Sequence, residues 1–291
     1  MRGAKPGRAI DAEVRRVARH VRSKGAGSTV VAAVSGGPDS VVLAAVLDRI
    51  ARDDGFALIL AHVNHGLRAS AWQDACVVLS LGARLERPVR SCVLQAMKED
   101  EATLRDARYA ALERIAREAG AATVLTAHTA EDQTETVLLA LFRGTGLDGL
   151  AGIPPVRELA AGIALVRPFL RLPRAELRAE LHRLALPYAL DPTNAQTRYR
   201  RNALRASLEH LRADFPQLDR AVARCAEIVR AERAGDARAV ERRALRERLR
   251  GGGLLADVPF ERIEAALEAG PRGRVFLKRG VESIGADLER R

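Results

Sequence analysis

The sequence predicts an α/β fold: a doubly wound parallel sheet, followed by a smaller, mainly helical C-terminal domain. Three observations carry this. Short β-branched and apolar runs alternate with longer helical patterns through the first half of the chain, the arrangement that gives a parallel sheet with helices on both faces. The first of those runs passes through a glycine-rich turn straight into a helical stretch. After Pro173 the alternation gives way to arginine-rich sequence that reads as helix.

In chain order, 10–21 reads as an amphipathic helix; the basic N-terminus has no apolar signal core and carries Asp11 and Glu13. Strands are expected at 29–34, 57–63, 88–93 and 122–127, and helices at 41–50, 72–81, 102–119 and 131–142. Ligands of such sheets sit at the carboxyl ends of the strands, and most chemically suggestive residues fall just after those ends. Beyond Arg174 the helical reading is interrupted by loop signals at Asp191-Pro192-Thr193-Asn194. A boundary near Phe215-Pro216 divides the chain into a catalytic domain, 1–215, and a reduced helical domain, 216–291, in which Gly251-Gly252-Gly253 reads as a loop.

The 291 residues suffice for about two domains. The net charge of +11 is nearly all arginine, with lysine only at positions 5, 24, 98 and 278. Such charge attracts phosphate-rich partners such as nucleic acid, though a general preference for arginine and alanine gives the same composition. No apolar run approaches the ~18 residues that cross a bilayer, so no membrane segment is expected. Cys76, Cys92 and Cys225 are too few and too scattered for a disulfide framework, and none forms a C-x-x-C pair. The chain is expected to be cytoplasmic.

The run Val30–Val34 leads into Ser35-Gly36-Gly37-Pro38-Asp39-Ser40 and then a helix. The two glycines let the backbone turn tightly and approach a ligand. The helix N-terminus adds unpaired N–H groups and the positive end of its dipole, Ser35 and Ser40 add hydroxyls, and Pro38 suits a first helical turn. Together these make a pyrophosphate cradle. Asp39 beside phosphates calls for a bridging cation, Mg²⁺. The plainer reading is a strand–turn–helix with Asp39 as a cap, and the loop lacks the lysine ending of a Walker A motif.

Asp132 and Glu135 are three apart on one helix face and could bind and help deprotonate a cationic amine, or decorate a helix N-terminus. Arg105 and Arg108 share a face and could grip a phosphate or carboxylate, or be solvated charges. His62 and His65 fall where they could line a nucleotide pocket or be structural. Trp72 reads as core packing, with base stacking as the alternative. Cys76 and Cys92 read as buried small apolar residues.

The loop resembles the PP-loop of the N-type ATP pyrophosphatase superfamily. Further segments narrow the resemblance: Leu60-Ala61-His62-Val63-Asn64-His65-Gly66-Leu67-Arg68; Glu101-Ala102, Arg105 and Arg108-Tyr109; Thr126-Ala127-His128 leading to Asp132-Gln133, Glu135-Thr136; Arg143-Gly144-Thr145-Gly146; Arg167-Pro168-Phe169; and Asp191–Asn194 with Arg201-Asn202-Ala203-Leu204-Arg205. In this order and spacing, over about 30–205, they resemble the tRNA(Ile)-lysidine synthases. Glu131 and Thr129 depart from that pattern, which has Asp and a second His there, and the chain resembles a short form with one reduced C-terminal domain. The resemblance implies a ligase that joins free L-lysine to the wobble cytidine of the CAU-anticodon isoleucine tRNA through an adenylated intermediate. It implies ATP on Ser35–Ser40 and His62, and Mg²⁺ on Asp39. Asp132 and Glu135 would serve the amine, and Arg105, Arg108 and Arg205 anionic groups. Arg200, Arg201 and Arg205 would hold RNA phosphates, although Arg201 or Arg205 in the active site fits the same match. A homodimer is allowed for. The alternatives are a thiolating or amidating PP-loop enzyme and an RNA-binding module without catalysis.

Overall fold

The computed structural model describes residues 10–17, 29–64, 71–94, 101–189, 200–251, 260–268, 274–279 and 282–287. The chain divides into two units, Met1–Arg224 and Cys225–Arg291.

The first unit opens on helix α1 (10–17), followed by β1 (Thr29–Ala33), α2 (Pro38–Asp54), β2 (Ala57–Asn64), α3 (Ala71–Leu85), β3 (Val89–Val93), α4 (Glu101–Glu118) and β4 (Thr123–Leu125). Then come α5 (Ala130–Phe142), α6 (Gly146–Leu150), β5 (Val156–Ala160), β6 (Ile163–Val166), α7 (Arg174–Leu184) and α8 (Arg200–Asp214). The six strands are ordered β3-β2-β1-β4-β6-β5, all pairs parallel except β5–β6. This is the doubly wound sheet that the alternating runs predict, with all four expected strands in place.

Side-chain alternation along each strand splits the core in two. Ala32, Leu58, Leu60, Leu125 and Val166 join one cluster with α1, α2, α3 and α7, through Ile10, Val41, Leu43, Leu81 and Leu177. Val31, Ala61, Val124 and Leu165 join the other with Leu112, Ile115 and Ala116 of α4. The strands are apolar on both faces because both faces are covered. From β1 the chain winds out to β3 and then returns through α4 to β4 on the other side of β1. The carboxyl ends of β1 and β4 therefore flank the reversal point where open sheets of this class bind ligands.

The β5–β6 hairpin is not among the expected strands. Its two short segments turn through Ala161-Gly162, with Gly162 at φ +77°. An apolar run of four beside such a turn is a weak signal inside a sequence that elsewhere spaces strands by helices. The hairpin's consequence is local: β5 runs antiparallel, so its first residues lie at the same end of the sheet as the carboxyl end of β6, with Val156 opposite Val166.

In the second unit, α10 (Ala237–Gly251) and α11 (Phe260–Glu268) are followed by an antiparallel pair, β7 (Arg274–Arg279) and β8 (Glu282–Asp287). The preceding helix α9 (Leu218–Arg233) runs across the division between the units. Arg242 is buried and bonds Glu264 at 2.6 Å. The region is mainly helical as expected, and its terminal hairpin is an addition. Gly251 is the last residue of α10; Gly252 and Gly253, read as loop, lie outside the described residues.

Candidate active site

The glycine-rich loop joins β1 to α2. Gly36 has φ +92°, a left-handed conformation that a side chain resists, and a Cβ there would meet the backbone oxygen of Asp74 at 3.1 Å. Pro38 opens α2. Two serines tie the loop to itself. The Ser40 hydroxyl donates to Gly37 O (2.8 Å) and accepts from Ser35 N–H (3.2 Å). The Ser35 hydroxyl lies 3.2 Å from that of Ser40 and accepts from Gly37 N–H (3.3 Å). The hydroxyls read from sequence as ligand donors thus also hold the cradle's shape. Ala189 N–H donates to Gly36 O at 2.9 Å, pinning the peptide from the far side.

Asp39, in the first turn of α2, has one buried carboxylate oxygen, Oδ1, with no hydrogen-bond partner. Its Oδ2 lies 3.4 Å from Arg174 Nε. Burial pushes the Asp39 carboxyl up to about 6; Arg174 opposes this, while Asp132 and Glu131 add to it. An orphaned oxygen on a carboxylate at a phosphate cradle fits a hard cation whose remaining ligands come from phosphate and water. No cluster of three or more metal-ligating side chains exists among the described residues.

Across β4, the N-terminus of α5 brings up three more acids. Asp132 Oδ2 accepts from the backbone N–H (2.9 Å) and the hydroxyl (3.1 Å) of Thr129, as the third helical residue reaches back to the cap. Glu131 does not serve its own helix. Its Oε1 accepts Arg174 N–H at 2.8 Å, capping α7 instead. Glu135 is fully buried. Gln133 clamps Ile153 by both backbone groups, at 2.7 and 3.2 Å, and so holds the approach to β5.

Three guanidinium groups converge on these acids. Arg174 bonds Asp132 at 2.6 Å and lies 3.8 Å from Glu135, so it spans Asp39, Asp132 and Glu135. Arg205 grips Glu135 with two bonds, 2.8 and 3.0 Å. Arg201, on the same face of α8, bonds the Thr136 hydroxyl at 2.8 Å and lies 3.4 Å from Glu135. Burial pushes Asp132 up, but Arg174, His128, the Thr129 N–H and Arg205 together hold it below the usual carboxylate range. His128 accepts or donates to the Thr126 hydroxyl at 2.9 Å, and burial drives it down to about 3, so it is a neutral imidazole at working pH.

Asp132 and Glu135, the pair expected to meet an amine, share Arg174 and Arg205 as partners, so their oxygens are already engaged by arginine. An ammonium entering there must displace a guanidinium. Arg201 and Arg205 are turned onto Glu135. Arg200 opens α8. Arg105 is exposed, 3.9 Å from Asp106, on the outer side of α4. Arg108 instead faces Tyr109 and Arg167, near His128. His62 is buried, and its Nδ1 lies 2.9 Å from Val34 O, so Nδ1 carries the proton and braces the strand entering the loop. His65 and Asp191–Asn194 lie outside the described residues. Trp72, expected in the core, is 62% exposed. It sits in the first turn of the helix whose Asp74 touches Gly36, and Cys76 on that helix is exposed as well. Arg174 was not singled out from sequence. Its only signal was a position directly after Pro173, where the helix begins.

The family profile of the PP-loop domain matches residues 10–211. Among curated relatives, the tRNA(Ile)-lysidine synthase of Methylobacterium nodulans is 42% identical over 80% of this chain and 69% of its own length. That of Ralstonia nicotianae is 39% identical over 88% of this chain and 55% of its own, and that of Bradyrhizobium diazoefficiens 44% over 64% and 52%. Among solved structures, the U34-tRNA thiolase NcsA of Methanococcus maripaludis shares the fold, with a TM-score of 0.58 at 16% identity, covering 75% of this chain and 78% of that one. The site and fold are those of a PP-loop protein. Within that class the chain belongs to the tRNA(Ile)-lysidine synthase family. It spans between about half and two thirds of the length of the relatives it matches.

Proposed function

We propose that this chain is an ATP-dependent ligase that joins free L-lysine to the wobble cytidine of a CAU-anticodon isoleucine tRNA. The observation that carries the reading is the facing pair of groups at the β1/β4 crevice. On one side stands a preshaped phosphate loop with an orphaned Asp39 oxygen. On the other stands the acid pair Asp132 and Glu135, in a chain of the lysidine synthase family.

In this reading the cytosine 2-carbonyl oxygen attacks the α-phosphate of ATP held by Ser35–Ser40, forming a C–O–P linkage as pyrophosphate leaves. The ε-amine of lysine then bonds the activated ring carbon, and AMP departs with the oxygen. Mg²⁺ held by Asp39 supplies charge neutralisation on the phosphates. Asp132 and Glu135 receive the ammonium, and a carboxylate oxygen of the pair takes its proton as the amine attacks. Arg174 and Arg205 hold Asp132 ionised beforehand, and with Arg201, which pairs with Glu135, they stand ready, once displaced, for the anionic phosphate of the adenylated base. The protein's work is mostly placement and charge. Residues 216–291 contact the tRNA, Arg108 meets an anionic group, and the reaction takes place in the cytoplasm with soluble substrates.

The test is direct. The protein is incubated with isoleucine tRNA, ATP, Mg²⁺ and isotopically labelled lysine, and the digested nucleosides are weighed. A cytidine heavier by lysine less water is expected. Sulfur incorporation from a sulfide donor, with none of the label, would replace this reading by thiolation. Absence of tRNA-dependent pyrophosphate release would reduce the chain to an RNA-binding module.

A further inference from the structure

The two edges of the main sheet are built differently. Along β5 the register shifts between Glu158 and Ala160, and Arg157 and Glu158 put charge on the strand. Bulges and charges keep an edge from pairing with another chain. The other edge, β3, keeps an unbroken register with β2 from Val89 to Val93, and no further strand pairs with it among the described residues. Pro88 O accepts from Leu60 N–H at 2.9 Å, and Leu94 N–H donates to Asn64 O at 2.8 Å. Alternate residues of a strand direct their backbone groups to one neighbour, so positions 88, 90, 92 and 94 face β2. The N–H and C=O groups of Val89, Ser91 and Val93 point off the sheet. The side chains of these three lie on the α3 face: a Cβ on Gly82 of α3 would meet Val89 Cγ2, whereas Cys92 packs with the α4 cluster. Val93 is 68% exposed there.

Above that edge, α3 is apolar on two flanks. Val78 and Leu81 are buried in the core. Trp72, Cys76, Leu79 and Ala83 are exposed, and at 3.6 residues per turn they fall in an arc of about 60°. The arc lies nearly opposite Asp74, which touches the phosphate loop, and on the flank of Gly82, which meets β3. None of its four residues is charged. The solvent side of a surface helix is ordinarily polar, and contiguous exposed apolar surface marks an interaction site. The stripe and the bare strand edge adjoin, so they make one surface with apolar side chains above and free backbone groups beside them.

We propose that this surface joins two copies of the chain about a two-fold axis, with β3 paired antiparallel to β3 of the second copy and the two α3 helices side by side. The surface is its own complement, as a two-fold contact requires. With Ser91 on the axis, Val89 and Val93 exchange hydrogen bonds with Val93 and Val89 of the second copy, and every outward group of the strand is used. Arg90 then lies opposite Cys92 rather than a second Arg90, so like charges do not meet. On the helices the same symmetry sets Trp72 against Ala83 and Cys76 against Leu79, a larger side chain beside a smaller one in each pair. A chain with a net charge of +11 repels its own copy over most of its surface, and the uncharged stripe is where that repulsion is least. An RNA backbone finds no cation on the stripe to neutralise its phosphates.

The test is sedimentation of the full chain without RNA, with Leu79→Glu and Ala83→Glu as variants at exposed positions outside the candidate active site. Wild type is expected to be dimeric at about 10 μM, the range of a specific interface of ordinary size. Each variant is expected to weaken the dimer about a hundredfold or more, because pairing would bury a carboxylate without a partner, and to keep the circular dichroism spectrum of the wild type. Exchange of the Val89, Ser91 and Val93 amide protons, followed by NMR, is expected to be slow in the dimer and fast in Leu79→Glu. A wild type still monomeric at about 100 μM overturns the proposal. So does a dimer that either variant leaves intact, or one whose β3 amides exchange freely, since the contact then lies elsewhere. Loss of tRNA affinity in Leu79→Glu with the mass unchanged overturns it in favour of an RNA surface. None of these outcomes depends on the ligase reading, whose failure shows instead in the nucleoside masses.

Discussion

Asp39 buries one carboxylate oxygen without a hydrogen-bond partner and turns the other towards Arg174. Asp39→Asn is expected to leave the fold intact and to abolish nearly all tRNA-dependent pyrophosphate release, measured with excess Mg²⁺. Near-normal turnover would remove Asp39 from cation binding. The same variant should stabilise the metal-free protein. The folded carboxyl is pushed up to about 6 from 3.8, so its ionised form is disfavoured by burial, a cost of up to about 3 kcal/mol. Below about pH 4 both folded and unfolded forms are protonated and the two proteins melt alike. As pH rises through 6 the wild type loses stability relative to the variant, and above that the gap is constant. Melting curves in chelator from pH 4 to 8 give the profile; a gap that widens towards acid contradicts it.

At the scale of elements, the site depends on how α5, α7 and α8 are joined. Thr129→Ala removes one bond to Asp132 and weakens the N-terminus of α5. A loss of about 1 kcal/mol in denaturant unfolding is expected, with a raised lysine requirement because the Asp132 carboxylate loses an anchor. Arg205→Gln leaves the buried Glu135 short of its bidentate partner, a loss of roughly 3 kcal/mol. Adding Glu135→Gln should restore part of it, since no charge is then left buried. A double variant less stable than the single one would show that the pair does not act as a unit. How much of this was legible varies by element. The four parallel strands and the helices between them follow from apolar runs that local sequence fixes. The acid pair follows from helical spacing. The arginines that meet it do not, because Arg174, Arg201 and Arg205 reach Asp132 and Glu135 only by packing of segments more than forty residues apart. Trp72 shows the reverse: residue type favours the core for a large apolar side chain, and the structure leaves it exposed in the first turn of α3.

For the molecule as a whole, the +11 charge is expected to govern encounter with tRNA. Each phosphate neutralised releases counterion, so affinity should fall steeply with salt, with a logarithmic slope of about −0.7 to −0.9 per contact. The inward placement of Arg201 and Arg205 sharpens the expectation. Their replacement by Gln should lower single-turnover rates at saturating tRNA and leave the salt slope of binding nearly unchanged. A flattened slope in filter binding would put them on the RNA backbone instead. Trp72 is the chain's one tryptophan, so its emission should change when a nucleotide or RNA base approaches the loop. An unchanged spectrum at saturation would separate it from the ligand.

The serine ring within the loop has a consequence for how this sequence can vary. Ser35 and Ser40 each use their hydroxyl in more than one bond, and Gly37 takes part through both its N–H and its carbonyl. The positions are therefore not independent choices. Replacing Ser40 by Ala deprives the Ser35 amide and hydroxyl and the Gly37 carbonyl together, while replacing Ser35 afterwards removes a hydroxyl that has already lost one of its two partners and keeps only Gly37 N–H. The second change should cost less than it does alone, a coupling of about 0.5–3 kcal/mol in a double-mutant cycle. Drift from this loop to a serine-free one must then cross a single variant that already carries most of the cost of the double change, so the motif resists gradual replacement even where a different loop of equal stability exists.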